Sequence, residues 1–186
     1  MRMTMWRLIS NLCLAFILVT SFSACDSGNG DDGDDGGNGG NLFQANITIS
    51  GDVQDSFSGF AAFAEDGDGD GGFIIFIYQG EFSVVPSGRI VAVGHDTASP
   101  GQGTFTINEE DYYGAYASDL SSVTTGTFIS GDSGQLNITS SSSDRLSGSF
   151  SFTGEVVQNA AVQGTATVSG TFTAEQFSPG EIPGFF

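Results

Sequence analysis

Lysine is absent from the chain, histidine occurs once, at His95, and tryptophan once, at Trp6. The first absence removes Schiff-base chemistry, and a lone imidazole removes His-rich zinc sites. Cysteine is nearly as scarce. Cys13 lies in an apolar leader, so Cys25 has no partner in the remaining chain and no disulfide framework exists. Positive charge is also missing: four arginines stand against 22 acidic residues, a formal net charge of -18. Such a surface repels nucleic acid and anionic headgroups and attracts cations, so no nucleic-acid partner is expected.

What is present begins with an export signal. Arg2 and Arg7 form a basic leader, and Leu8 to Phe22 is apolar, broken by small polar residues. The stretch is shorter than the about 20 residues a helical span needs. Phe22-Ser23-Ala24-Cys25 follows and resembles the lipobox of bacterial lipoproteins, with Phe22 where leucine is usual. The resemblance implies cleavage after Ala24 and a lipid on the Cys25 thiol. Several acyl chains would hold the protein to a membrane far more firmly than one. The expectation is an exported protein anchored to the cell envelope, at the outer membrane or cell surface in preference to the inner membrane.

Residues 25–41 follow the signal, and 26–41 contain only Asp, Ser, Gly and Asn, which cannot bury a core; a disordered linker is expected. Residues 42–186 are then one domain. Their periodicity is that of strands: Ile47 and Ile49, Phe105 and Ile107, Leu136 and Ile138, Phe150 and Phe152 each alternate with polar residues. The run Phe73 to Tyr78 is continuously apolar, which predicts a central strand covered on both faces. Gly-x-Phe recurs at Gly80, Gly103, Gly126, Gly148 and Gly170, spaced 23, 23, 22 and 22 residues apart. Two strands and two turns fill such a period, so the pattern predicts an all-β antiparallel meander. Closing it into a barrel removes exposed edges; a β-sandwich is the alternative.

Residues 103–174 resemble a group of exported lipoproteins with a lipocalin-like, or calycin-like, β architecture. The pieces that carry this are Gly134-Gln-Leu136-Asn-Ile138-Thr139, Gly148-Ser-Phe150-Ser-Phe152 and Val168-Ser-Gly170-Thr-Phe172. The resemblance implies an envelope location and an interior cavity. It supplies no catalytic residues.

Asp66-Gly67-Asp68-Gly69-Asp70-Gly71 has the spacing of the first half of an EF-hand calcium loop, making Asp66, Asp68 and Asp70 candidate calcium ligands. Ile77 stands where the bidentate glutamate belongs, and a flexible acidic turn explains the same residues. Glu109-Glu110-Asp111 beside Tyr112 and Tyr113 has the residue types of a sugar-cleaving site, but the carboxylates of such a site face each other across a cleft. Tyr112, Tyr113 and Tyr116 are read equally as a carbohydrate face or as half-buried strand tyrosines. His95 beside Asp96 makes a poor catalytic pair, since neighbours on a strand point to opposite faces, and His95 is expected in a loop or at the surface. No enzyme is expected. The reading is a membrane-anchored envelope lipoprotein that binds a small apolar ligand in its barrel or presents a surface, with a calcium-stabilised adhesion or structural module as the alternative.

Overall fold

The computed structural model describes residues 43–65, 72–81, 87–95, 101–108, 112–122 and 126–176. Nine strands lie in them: β1 (Gln44–Gly51), β2 (Asp55–Glu65), β3 (Phe73–Glu81), β4 (Ser87–His95), β5 (Gly103–Ile107), β6 (Tyr112–Ala117), β7 (Thr127–Ser141), β8 (Arg145–Gln158) and β9 (Ala161–Gln176). The only helical piece among the described residues is a 3-10 turn, Leu120–Ser122. The protein is therefore all-β. Its strands form one mixed sheet closed into a ring in the order β1-β2-β3-β4-β6-β5-β7-β8-β9, with β1 antiparallel to both β2 and β9.

The expected antiparallel meander needs one correction. β5 and β6 exchange places in the order, pair with each other in parallel at Ile107 and Tyr112, and both run antiparallel to β7. Ile107 stands opposite Gly134, whereas Ala115 stands opposite Ser130. Eight residue steps along β5 and β6 thus face four along β7. β5 and β6 behave as one strand of a meander interrupted by a four-residue excursion, across which the inward positions change from odd-numbered (Phe105, Ile107) to even-numbered (Tyr112, Tyr116).

Alternation puts Ile47, Ile49, Phe57, Phe63, Phe73, Ile75, Ile77, Leu136, Ile138, Phe150 and Phe152 on the inner face, all within one buried cluster. The Gly-x-Phe repeat has a physical reason at β8 and β9. Gly148 stands opposite Phe172, and Phe150 stands opposite Gly170. Each ring lies against a position without a side chain: a Cβ on either glycine would come within 3.1 Å of the facing phenylalanine's Cζ. Phe152 sits likewise between Gly114 and Gly131, whose added Cβ atoms would meet its ring at 2.5 and 2.8 Å. The repeat is not uniform, because Phe128 shares its cross-strand row with Ala117 on the outer face.

The outer face differs between the two sides of the ring. From β7 through β8, β9 and β1 to β2, one cross-strand row reads Asn137, Ser149, Thr171, Asn46, Ser58 and the next Gln135, Ser151, Ser169, Thr48, Ser56. Several of these groups bond each other, as in Ser58 Oγ to Asn46 Oδ1 at 2.8 Å and Thr153 to Thr167 at 2.7 Å. Across β2, β3, β4 and β6 the outer rows read Ala62, Phe76, Ala92, Ala115 and Phe60, Tyr78, Ile90, Ala117. Here Ala62, Tyr78, Ala92, Ala115 and Ala117 are buried although none belongs to the inner cluster. The expected strand covered on both faces is met in part by β3, whose inner row Phe73, Ile75 and Ile77 is buried together with Tyr78, while the outer Ile74 and Phe76 are half-buried.

Candidate functional site

One end of the ring carries its charged cluster. Asp55 opens β2, Gln79 lies near the end of β3, Arg89 near the start of β4 and Tyr116 near the end of β6, and strand pairing brings these distant residues to one level. Arg89 Nε lies 3.0 Å from Asp55 Oδ2, and its Nη1 donates to Gln79 Oε1 at 2.7 Å. The guanidinium stands 5.7 Å from the Phe57 ring centroid. Tyr116, 1 % exposed, donates its hydroxyl to Asp55 Oδ2 at 3.1 Å. Burial first, then the negative charge of Asp55 and the bond to it, push the phenol far above the ordinary tyrosine value. A phenol held neutral in this way is a donor to Asp55 and not a general base. Asp55 and Arg89 neutralise each other, so the cluster closes the end of the ring with polar groups that satisfy one another.

The opposite end is aromatic. His95 lies at the end of β4, where its ring is 4.5 Å from that of Tyr112, and Phe105 is 5.1 Å from Tyr112 on the other side. The expectation of a loop or surface histidine is corrected here: β4 extends far enough to pair His95 with Phe73 and Tyr112, so the imidazole packs among rings at partial burial. The three tyrosines read as a possible carbohydrate face are not on one face. Tyr112 and Tyr116 share the inner side with Gly114 between them, and Tyr113 points the other way, its ring beside Gly94. Asp66, Asp68 and Asp70, the acidic run Glu109 to Asp111, and Cys25 all lie outside the described residues.

Between the ends the interior is filled. Tyr116, Phe63, Phe73, Phe152, seven isoleucines and two leucines are each 2 % exposed or less, whereas side chains bordering a water-sized void would show surface to it. A cavity of about 470 Å³ lies elsewhere, as an open groove on the outside of β1, β2 and β3. Its floor is the outer row Gln44, Phe60, Tyr78 and the adjoining Ser58 and Gly80, with Phe43 at one margin. Gly80 makes room for the Tyr78 side chain in this floor, since a Cβ there would lie 2.6 Å from the Tyr78 hydroxyl oxygen and would collide with the Ser87 carbonyl oxygen. Sequence reasoning named none of these as a site, because they come from three strands and each reads alone as ordinary strand sequence.

No family model, curated protein or solved structure matches this chain, so the arrangement of these residues is what bears on its function.

Proposed function

We propose that the protein is a non-enzymatic envelope lipoprotein, anchored to a membrane through Cys25, whose closed ring is a lipocalin-like barrel that works through its outer surface. The observation that carries this reading is the filled interior: the phenylalanines and isoleucines that a carrier would present to an apolar ligand are packed against one another, with glycines opposite the rings. A carrier needs a concave, largely preformed site. The one concave feature described above faces outward.

Expression of the full chain in an exporting bacterial host with labelled palmitate tests both halves. Wild type is expected to take up label, Cys25→Ser to take up none, and the detergent-solubilised protein to give a native mass free of co-purified lipid-sized ligand once the anchor is accounted for. Label on the Cys25→Ser protein would refute the anchor. A stoichiometric apolar adduct, or one-to-one uptake of a fatty acid probe, would refute the surface reading in favour of a carrier.

A further inference from the structure

The side chains lining the outer groove are all uncharged in a chain with 22 acidic residues, the Arg145 guanidinium standing only against Phe43 at its margin, and the lining has two complementary chemistries. Phe60 and Tyr78 stand side by side as a cross-strand pair; Tyr78 is itself buried, its hydroxyl donated across the outer face to the Ser87 carbonyl oxygen of β4 at 2.8 Å, so the half-buried Phe60 is the ring of the pair that meets the groove. Phe43 is held at the margin by the Arg145 guanidinium, 5.7 Å from its centroid. Beside these rings, Gln44 pairs with Phe60 across β1 and β2 and is exposed, and Ser58 is exposed one row away. The groove also lies on the border between the apolar and the hydroxyl-bearing outer faces. Its ligand must therefore have one apolar side and one hydrogen-bonding edge.

We infer that this groove binds a neutral saccharide. A pyranose has a C–H face that fits against an aromatic ring such as that of Phe60 and a rim of hydroxyls that exchange hydrogen bonds with an amide such as that of Gln44 and a hydroxyl such as that of Ser58. Its lack of charge suits a protein whose field repels anions. An acyl chain has no use for the polar side and gains little in a groove open to water, and about 470 Å³ is the size of site a small saccharide fills. The inference rests on the reading that ligands meet the outer surface.

The test is a panel of neutral oligosaccharides of glucose, mannose and N-acetylglucosamine, screened against the detergent-solubilised full chain and followed by titration calorimetry. At least one is expected to bind, and Phe60→Ala to weaken it roughly tenfold or more, as loss of a central aromatic contact does. Gln44→Ala removes an exposed side chain and keeps the test valid if Phe60→Ala fails to fold; it is expected to weaken binding severalfold, while Thr167→Ala on β9 changes nothing. Absence of binding across the panel, or binding that neither groove substitution weakens, overturns the inference. A fatty acid probe run in parallel separates the two failures: its uptake overturns the surface reading itself, whereas its exclusion together with a silent panel overturns only the saccharide.

Discussion

The two sides of the ring solve the same problem of closure with different surfaces. Along β7, β8, β9 and β1 each strand has one apolar face and one face of Ser, Thr, Asn and Gln, so a side chain's position in the alternation decides its environment. Along β2, β3, β4 and β6 both faces are apolar, and Ala62 and Ala92 are 1 % and 3 % exposed on the side that elsewhere meets water. The difference teaches where sequence change is tolerated. On the first side outward positions are free to vary and inward ones are not, whereas on the second neither is free. A charge is the sharpest probe of this. Ala92→Asp would bury a carboxylate among Phe76 and Ala115 and is expected to cost about 3–5 kcal/mol. Ser151→Asp, outward and exposed on β8, is expected within roughly 0.5 kcal/mol of wild type. Urea denaturation of both reads the comparison, and equal losses would break it.

A smaller effect probes how the first side packs its interior. Gly170→Ala places a methyl 2.5 Å from Ile47 Cδ1 and 2.8 Å from the Asn46 carbonyl oxygen, opposite Phe150. Because one of these neighbours is backbone, the clash cannot be relieved by a rotamer change, and the loss should be about 1–3 kcal/mol. Gly101→Ala, where an added Cβ meets nothing within 4 Å, is the matched control and should leave stability unchanged or slightly raised. If both alanines cost the same, the pairing of glycine against ring is not what fixes the core.

On the second side the cluster at the ring's end gives a pH signature. Tyr116 has a raised pKa in the fold because of burial and then Asp55, so its protonated form is favoured there. Its contribution is complete below the ordinary tyrosine value of 10.0 and is lost as pH rises from there toward the folded value. Stability should accordingly fall above about pH 10. Tyr116→Phe removes the bond to Asp55 Oδ2 and is expected to cost about 1 kcal/mol at pH 7 while flattening the alkaline decline. Thermal melts at several pH values between 7 and 11 measure both, and an alkaline decline as steep in the variant as in wild type would place its origin elsewhere.

Local alternation made much of the fold legible. Ile47 and Ile49, Leu136 and Ile138, and Phe150 and Phe152 point inward as their spacing implies, and the apolar run Phe73 to Tyr78 is a strand with two apolar faces. What alternation left hidden is whatever depends on pairing between distant strands. The break between β5 and β6 shifts the inward positions from odd to even numbers, but strands of 5 and 6 residues are too short for their sequence to establish that change of phase. Asp55 and Arg89 are 34 residues apart in sequence and meet only because β3 and β4 carry Gln79 and Arg89 to the level where β2 begins. The groove is hidden for the same reason: Gln44, Phe60 and Tyr78 form one row in space and three separate strands in sequence.

The β8–β9 turn gives the smallest expected effect and the one most specific to its place. Gln158 pairs with Ala161, leaving Asn159 and Ala160 as a two-residue turn with φ of 50° and 61°. Both values are left-handed, as in the type I′ turn that matches the twist of a hairpin, where Asn-Gly is the favoured sequence. Asparagine tolerates this region through its short polar side chain, but at Ala160 the Cβ is strained against its own backbone. Ala160→Gly relieves that strain at the cost of a more flexible unfolded chain, and the balance at a left-handed position favours glycine. A gain of about 0.5–1 kcal/mol is expected in urea denaturation, with the hairpin's cross-strand pairs unchanged. A loss instead would mean that the turn leaves the left-handed region in solution. The junction between β8 and β9 would then be set by their side chains and not by the turn.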